Sequence, residues 1–391
     1  MANGQLTLAY FRQPQFYRNF SCMGGECPNS CCINWRIDWT SDSVEKLRNA
    51  ECSEELRKLI DTSFEPYNDD YKIKLGEKAR CPFLTEDNFC AIQRELGEEY
   101  LSPTCTTYPR AGHVCGNVLL RTCYLSCYKV IDMICADEDA MVLENYRPRG
   151  ENHGKVKFDE PSETKKHPEL KYRSELFEFF YEIISDRSRS IETSIVLGAL
   201  AAQKLTEYIN AGKHDRIPEV IKALRPQINN TAQIAKLEQV KPNYSLKIGF
   251  LTKLLDTIMK SDILDCIYEN GAVNVDKYIE GERIFKETFA DRPYAMRNIA
   301  LNLLIEMGMP FRNKDISLFD NYSYFVAAIA AIKLIAPVIA VRGHSFEIGI
   351  KVVSSYLDRS FIHNDVKVGM VLDVLKEFHC TSPAYLAAII K

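Results

Sequence analysis

The 391-residue sequence predicts a mainly α protein, with a cysteine-rich loop-and-helix metal-binding region at the N-terminal end and a helical domain behind it. Three observations carry that prediction. All of the 14 cysteines except Cys266 and Cys380 fall before residue 136. Beyond about Leu170 the apolar residues recur on one helical face, as at Leu251, Leu254, Leu255, Ile258 and Met259. Nowhere do strand-length and helix-length patterns alternate as a βαβ sheet demands, and no repeat of fixed period is visible.

Up to about residue 140, short segments are punctuated by Gly24-Gly25, Pro28, Pro82, Pro103 and Pro109, so loops that bear function are expected there. Two helices are predicted among them, Ser41 to Leu59 and Leu119 to Ile134, the second placing Cys123 and Cys127 one turn apart on one face. The charged stretch Tyr146 to His167, broken by Pro and Gly, reads as a linker or exposed loop. The expected organisation is a cysteine-rich region over 1–140, a linker over 141–170 and a helical domain over 171–391. Its helices are predicted at Tyr172 to Ser185, Ile191 to Asn210, Pro218 to Leu224, Ser245 to Met259, Tyr294 to Met307, Tyr322 to Val341, Phe346 to Leu357 and Val366 to Phe378. Pro218 suits a first helical position. The run Tyr324 to Val341 is nearly apolar but carries Lys333 and Pro337 and barely reaches spanning length, so a buried helix is expected rather than a membrane span. Peripheral association with a membrane stays open.

Composition narrows the function. Lys+Arg 49 against Asp+Glu 53 leaves a net charge of -4, which argues against nucleic acid as a main partner, and 46% hydrophobic residues argue against disorder. The opening MANGQLTLAYFRQPQFYRNFSC lacks the apolar run of a signal peptide, so a cytoplasmic location is expected. Thiols stay reduced there, and a cysteine cluster then points to metal or chemistry rather than to disulfides.

The densest segment is FSCMGGECPNSCCINW, which holds Cys22, Cys27, Cys31 and Cys32; Cys81 follows in CPFL, Cys90 in FCAI, Cys105 in SPTCTTYPR and Cys127 in LSCY. No C-x2-C pair occurs, which counts against ordinary zinc fingers and ribbons. A cubane iron-sulfur cluster takes four thiolates, or three with one iron open, and accepts less regular spacing. Adjacent Cys31 and Cys32 diverge on any helix or strand, so both ligate together only from a loop, and Cys32 is free to face the core or a second site. For Cys52, Cys115, Cys123, Cys135, Cys266 and Cys380 the favoured reading is a small buried hydrophobe.

Taken in order, FSCMGGECPNSCCINW, CPFL, LGEEYLSPTCTTYPR and LSC resemble the flagellin lysine-N-methylase family, within a wider class of cysteine-rich zinc- or iron-chelating proteins. The resemblance covers roughly residues 10 to 140 and beyond that extends only to length and helical character. It implies methyl transfer from S-adenosylmethionine to surface lysines of flagellin in the bacterial cytosol, with a [4Fe-4S] cluster. It makes Cys22, Cys27, Cys31, Cys32, Cys81, Cys90, Cys105 and Cys127 the ligand candidates, in a cluster-binding and catalytic region over residues 1–140. The length left once these motifs are placed makes the helical domain either a docking place for the protein substrate or a cover that completes the core over the cluster. One departure is Tyr128-Lys129, where the family has Pro-Glu after its last cysteine.

Common methyltransferases hold the cofactor on a glycine-rich loop of a Rossmann-like sheet. This chain has no G-x-G, and Gly24-Gly25 is its only glycine pair, so these two glycines are the candidates for cofactor contact. The radical enzymes that use the same cofactor show C-x3-C-x2-C; Cys27-x3-Cys31 supplies the first half, but position 34 is Asn34. A polar route instead has to deprotonate a lysine amine whose ordinary pKa is about 10.4. Tyr108 and Arg110 are the catalytic candidates, with Arg110 also placed to pair with a cofactor carboxylate or to offset thiolate charge. Tyr100, Glu98 and Glu99 are further bases near the motifs, Trp35 and Trp39 stand one helical turn apart as an aromatic wall or as packing, and His113 is the only histidine among the clustered cysteines.

Two other classes compete. A non-catalytic zinc- or iron-chelating accessory protein fits the same cysteines, and iron with acid-labile sulfide against stoichiometric zinc separates it from the enzyme. A thiol redox protein ranks last, without C-x-x-C and without a βαβ pattern.

Overall fold

A computed structural model describes residues 10–33, 36–116, 118–146, 161–258, 265, 267–270, 272–343, 346–359 and 365–391. Helices predominate, as the periodicity predicted. The chain forms two compact units that interleave in sequence. One comprises Met1–Arg18, Gly112–Ser126 and Ile131–Lys391; the other comprises Asn19–Ala111 and Cys127–Val130.

The first unit is the helical one. At its centre the helix Leu318–Val341 packs against Ile191–Asn210, Val275–Thr288, Phe346–Leu357, Asp365–Glu377 and Pro383–Ile390. It is apolar on all sides, so it must be covered on all sides. By length and composition it is able to cross a membrane, yet 89% of its most apolar stretch is buried within the protein. Ser317 Oγ caps its start, accepting from Asp320 N at 3.0 Å. Lys333 pairs with Glu192 and donates to the Ile390 carbonyl at 2.8 Å, so the one charge in the apolar run is fully used. At Gly198 a Cβ would fall 2.0 Å from Tyr322 Oη, and this absence of a side chain lets Ile191–Asn210 approach the central helix.

The predicted helices in this unit are present as Arg173–Ser185, Ile191–Asn210, Ile217–Ile228 with Pro218 in its first turn, Tyr244–Ile258, Ala295–Glu306, Leu318–Val341, Phe346–Leu357 and Asp365–Glu377. Among the described residues, Pro161–Lys166, Thr231–Glu238, Val275–Thr288 and Pro383–Ile390 are further helices of this unit that were not expected.

The predicted helix Leu119 to Ile134 is corrected. Val118–Cys123 is a strand with alternating burial, and the helix begins only at Tyr128 and runs to Ala136. The strand belongs to a four-stranded sheet in the order Arg110–Cys115, Val118–Cys123, Tyr10–Pro14, Leu143–Tyr146. Tyr10–Pro14 runs parallel to Val118–Cys123, with Phe11 opposite Leu119, and antiparallel to Leu143–Tyr146, with Phe11 opposite Tyr146. The partner strand lies more than a hundred residues away in sequence, so the local pattern alone favoured a helix. Cys123 therefore ends a buried strand and shares no helix face with Cys127. Of the stretch Tyr146 to His167, residues 147–160 lie outside the described residues, and a short helix occupies Pro161–Lys166.

The second unit carries the cysteine motifs. A three-stranded antiparallel sheet, Asp38–Trp39, Asp70–Ile73, Phe64–Tyr67 in that order, is closed by a hairpin at Asn68-Asp69, where Asn68 takes the left-handed backbone (φ +54°) that asparagine tolerates. The predicted helix Ser41 to Leu59 is two helices, Ser41–Arg48 and Glu54–Thr62. Ser53 Oγ accepts from Leu56 N at 3.2 Å and starts the second, while Arg57 reaches back to the Arg48 carbonyl at 2.6 Å and ends the first. Both lay their apolar stripes on a core that includes Ile37, Trp39, Leu47, Ile60, Phe64 and Phe83.

Candidate thiol centre

All eight motif cysteines fall in this one unit, Cys22 to Cys105 within Asn19–Ala111 and Cys127 in the short segment Cys127–Val130. Local geometry explains each placement. The Cys22 sulfur accepts from Gly24 N at 3.3 Å, and a 3-10 turn over Gly24–Glu26 leads to Cys27, whose N–H donates to the Gly24 carbonyl at 3.2 Å. Gly24 has φ +57°, and a Cβ there would meet the Phe89 ring at 3.1 Å; at Gly25 it would meet the Asp87 carbonyl at 2.7 Å. The glycine pair thus lets the loop of Cys22 and Cys27 lie on the loop that delivers Cys90.

Cys81 N donates to the Cys32 carbonyl at 2.8 Å, next to a backbone bridge between Ile33 and Arg80. Leu84 N returns to the Cys81 carbonyl at 3.1 Å, and Leu84 bridges Cys90. Cys105 stands in the first turn of Pro103–Thr107, its N–H capped by buried Ser102 Oγ at 3.0 Å, and Thr104 ties that turn to the Asp38 carbonyl at 3.2 Å. Cys32, Cys90 and Cys105 are half-buried and Cys81 is buried, all against the unit's hydrophobic core. Cys22 is exposed, and Cys27, Cys31 and Cys127 are half-buried.

The thiols feel one another. Cys31 donates to the Cys32 sulfur, and that hydrogen bond, assisted by Ser30 and the Arg80 charge against the cost of burial, lowers Cys32 to about 7. The same hydrogen bond and burial push Cys31 upward. Burial raises Cys81 to about 12 and Cys105 to about 11, and the charges of Cys32 and Cys90 add to both. Burial likewise raises Cys90, with Cys32 contributing. Cys127 is raised to about 11 by burial first, then by Cys27 and Cys22. Without a cation most of this sulfur is protonated, and a bound metal ion is what would turn it into thiolate.

In kind and number the donors fit a thiolate-bound centre: eight cysteines in one unit, with the Arg80 charge beside them. Among the described residues, no three His, Cys, Asp or Glu side chains stand at ligating distance of a common point. Loading would therefore need the side chains to close on the ion.

Tyr108 follows the Cys105 helix as its C-terminal cap and is half-buried. Arg110 is exposed and stacks over Phe20 at 5.4 Å. Tyr100 holds the Lys46 ammonium over its ring at 4.4 Å, and Glu98 and Glu99 are exposed. Trp39 is buried edge-on to Phe64, ring centres 5.1 Å apart, which makes it core; Trp35 lies outside the described residues. His113 belongs to the helical unit, its Nε2 2.7 Å from the Glu306 carbonyl. Cys115, Cys123, Cys135 and Cys380 are buried in that unit as well, Cys52 packs on the cysteine unit's core, and Cys266 lies outside the described residues. Sequence reasoning missed Arg80 and Ser30, although each directly precedes a cysteine of the set or its pair.

It also missed a buried polar cluster in the helical unit. Asn302 links Thr122 (2.5 Å), the Cys123 carbonyl (3.0 Å) and Glu306 (3.0 Å). Glu306 accepts from Leu125 N at 3.1 Å and Asp358 from Ser126 N at 2.5 Å. These groups fix the backbone that ends at Ser126, the residue before Cys127 in the chain.

The profile of the FliB lysine N-methylase C-terminal domain matches residues 177–389, more than half of the chain and all within the helical unit. A lysine-N-methylase of Salmonella typhimurium (strain LT2) and one of Salmonella choleraesuis (strain SC-B67) are each 25% identical over 285 residues, 68% of this chain. The chain spans 65% of the length of these relatives. A flagellar biosynthetic protein FliU of Salmonella muenchen is 34% identical over 136 residues, 34% of this chain and 80% of the relative. No solved structure matches.

Proposed function

The chain belongs to the FliB lysine N-methylase family, and on that premise we propose that it methylates surface lysines of flagellin, taking the methyl group from S-adenosylmethionine. The observation that carries the reading beyond the family is the gathering of eight thiols in one unit, which supports a [4Fe-4S] cluster held by cysteines among Cys22, Cys27, Cys31, Cys32, Cys81, Cys90, Cys105 and Cys127. When bound, such a cluster supplies an electron-transfer centre or an open iron for a ligand.

The chain's own residues have separate tasks in this reading. Arg110, exposed beside the Cys105 helix, offers a guanidinium to the cofactor's carboxylate, and Phe20 under its plane limits its swing. Gly24 and Gly25 were the expected cofactor contacts, but their bare Cα faces are taken up by Phe89 and the Asp87 carbonyl, so in this reading they shape the thiol loop. Tyr108 is half-buried at the end of that helix and stands as the group that takes or relays a proton from the lysine ammonium, whose amine attacks only when neutral. Nothing in this scheme requires secretion, and a cytoplasmic enzyme acting on flagellin before export is the setting we propose.

Incubation of the anaerobically purified chain with flagellin and S-adenosylmethionine, read by intact-protein mass spectrometry, tests it. Mass gains of one methyl unit on lysines support the reading; unmodified flagellin with a fully metal-loaded chain contradicts it. The half-burial of Cys32, Cys90 and Cys105 on a hydrophobic core favours one alternative, a non-catalytic zinc- or iron-chelating accessory protein.

A further inference from the structure

We propose that the cavity between the helices Ile191–Asn210, Ile217–Ile228 and Thr231–Glu238 is a binding site for an adenine nucleoside. It lies within the helical unit, goes beyond the proposed methyl transfer and does not depend on it.

The cavity measures about 380 Å³, in the range of small-molecule sites, and it is apolar below and polar at the mouth. Leu197 and Ala201 on the first helix, with Val220, Leu224 and Ile228 on the second, are buried and form its floor. Spacings of three and four residues put each set on a single helix face. Ala201 and Ala223 line the gap where longer side chains would fill it. Hydrogen bonds fix the walls. Buried Arg189 donates to the Ile228 carbonyl at 2.8 Å and Ser190 N to Glu238 at 2.8 Å, which ties the second and third helices to the start of the first. Asn230 caps the third helix, accepting from Gln233 N at 3.0 Å. A site held in this way loses little freedom on binding.

The mouth carries one glutamine from each helix, Gln203, Gln227 and Gln233. Gln227 donates to the Ala223 carbonyl of its own helix at 3.2 Å. Among the described residues, the side-chain amides of Gln203 and Gln233 make no hydrogen bond. A carboxamide presents a donor and an acceptor side by side, which matches the amino group and neighbouring ring nitrogen of adenine. The apolar floor suits the face of a flat ring, and Tyr208 adds an aromatic surface over which Lys204 lies 5.6 Å from the ring centre. Glu207 is the carboxylate within reach of ribose hydroxyls, and it pairs with Lys204 at 2.6 Å. This pair supplies the charged lining of the cavity and leaves no surplus cation for phosphate, so a nucleoside fits where a nucleotide does not.

The test is photolabelling of the full-length chain with 8-azidoadenosine, with crosslinked peptides read by mass spectrometry. Crosslinks within residues 197–233 are expected, displaced by adenosine at concentrations at least about tenfold lower than by guanosine or uridine, and no better by adenosine monophosphate. Ala223→Trp blocks the mouth at an exposed position, and Gln203→Leu with Gln233→Leu removes the edge contacts; each should reduce labelling at least about tenfold at an unchanged melting temperature. Crosslinks elsewhere, equal displacement by all competitors, or labelling indifferent to both variants overturns the inference.

S-adenosylhomocysteine as a further competitor separates two sources of the nucleoside. Displacement stronger than by adenosine supports the nucleoside of the methyl donor, and weaker displacement supports a free nucleoside; both uphold the site. Labelling here in a fully metal-loaded chain that leaves flagellin unmodified keeps the site and refutes the proposed activity, whereas methylated flagellin without labelling here does the reverse.

Discussion

The backbone N–H of Cys81 donates to the carbonyl of Cys32 at 2.8 Å, which sets two cysteines from distant motifs side by side on one core. The Gly24-Gly25 contact with the Asp87–Phe89 loop brings a third and a fourth motif together. A scattered set of sulfurs is thereby gathered by backbone geometry.

Gly25→Ala should disrupt that gathering, because its Cβ would lie 2.7 Å from a main-chain carbonyl that has no rotamer to move away. The expected cost is about 1–3 kcal/mol, with metal content falling in parallel. Thermal unfolding together with metal analysis checks it; an unchanged melting point and full metal would contradict the packing argument.

Metal uptake should release protons. Cys81, Cys90, Cys105 and Cys127 are held above the ordinary thiol range by burial, so each ligand has to lose a proton that it carries at pH 7. Affinity for zinc should therefore weaken as pH falls from 8 to 6, by more than tenfold per unit if two or more such thiols bind. Zinc titration in weakly buffered solution, with the released acid measured directly, tests this, and a pH-independent affinity would speak against thiolate ligation.

The helical unit should lose stability in acid through Glu192. Burial alone would raise its pKa, but the Lys333 charge and hydrogen bond outweigh it and hold the carboxyl at about 2. A carboxyl depressed in the folded state contributes stability that is complete above its unfolded pKa of about 4.3 and is lost as pH falls through the folded value, so the window is about pH 4.3 to 2. The amount is about 3 kcal/mol. Urea unfolding across that window should show a steeper loss in the parent than in Lys333→Met, which removes the partner.

Gly198→Ala should be among the most damaging changes in the helical unit, with a cost above about 2 kcal/mol, because the added carbon would fall 2.0 Å from Tyr322 Oη. Gly369→Ala, with open space at the same atom inside the helix Asp365–Glu377, should be neutral or stabilise by up to about 1 kcal/mol. Equal melting points for the two variants would refute the close-packing account.

Much of this was legible in the sequence, for identifiable reasons. Helices such as Ile191–Asn210 and Phe346–Leu357 carry helix-length apolar runs of their own and end where those runs end. Val118–Cys123 did not, because its strand character depends on Tyr10–Pro14, a partner that local pattern cannot see. Cysteine spacing identified the eight thiols, but which sulfur meets the core depends on the 33–80 and 84–90 bridges and was invisible. Resemblance in motifs drew attention to residues 10 to 140, whereas the family profile matches 177–389, where apolar helical spacing is too generic to be read as a family by eye.

Mössbauer and EPR spectroscopy of the anaerobically purified full-length chain test the central claim most directly. An iron-sulfur signal, accompanied by acid-labile sulfide and lost on serine substitution at members of the eight-cysteine set in a folded protein, is the predicted result. Background iron, or a signal indifferent to every such substitution, would contradict it.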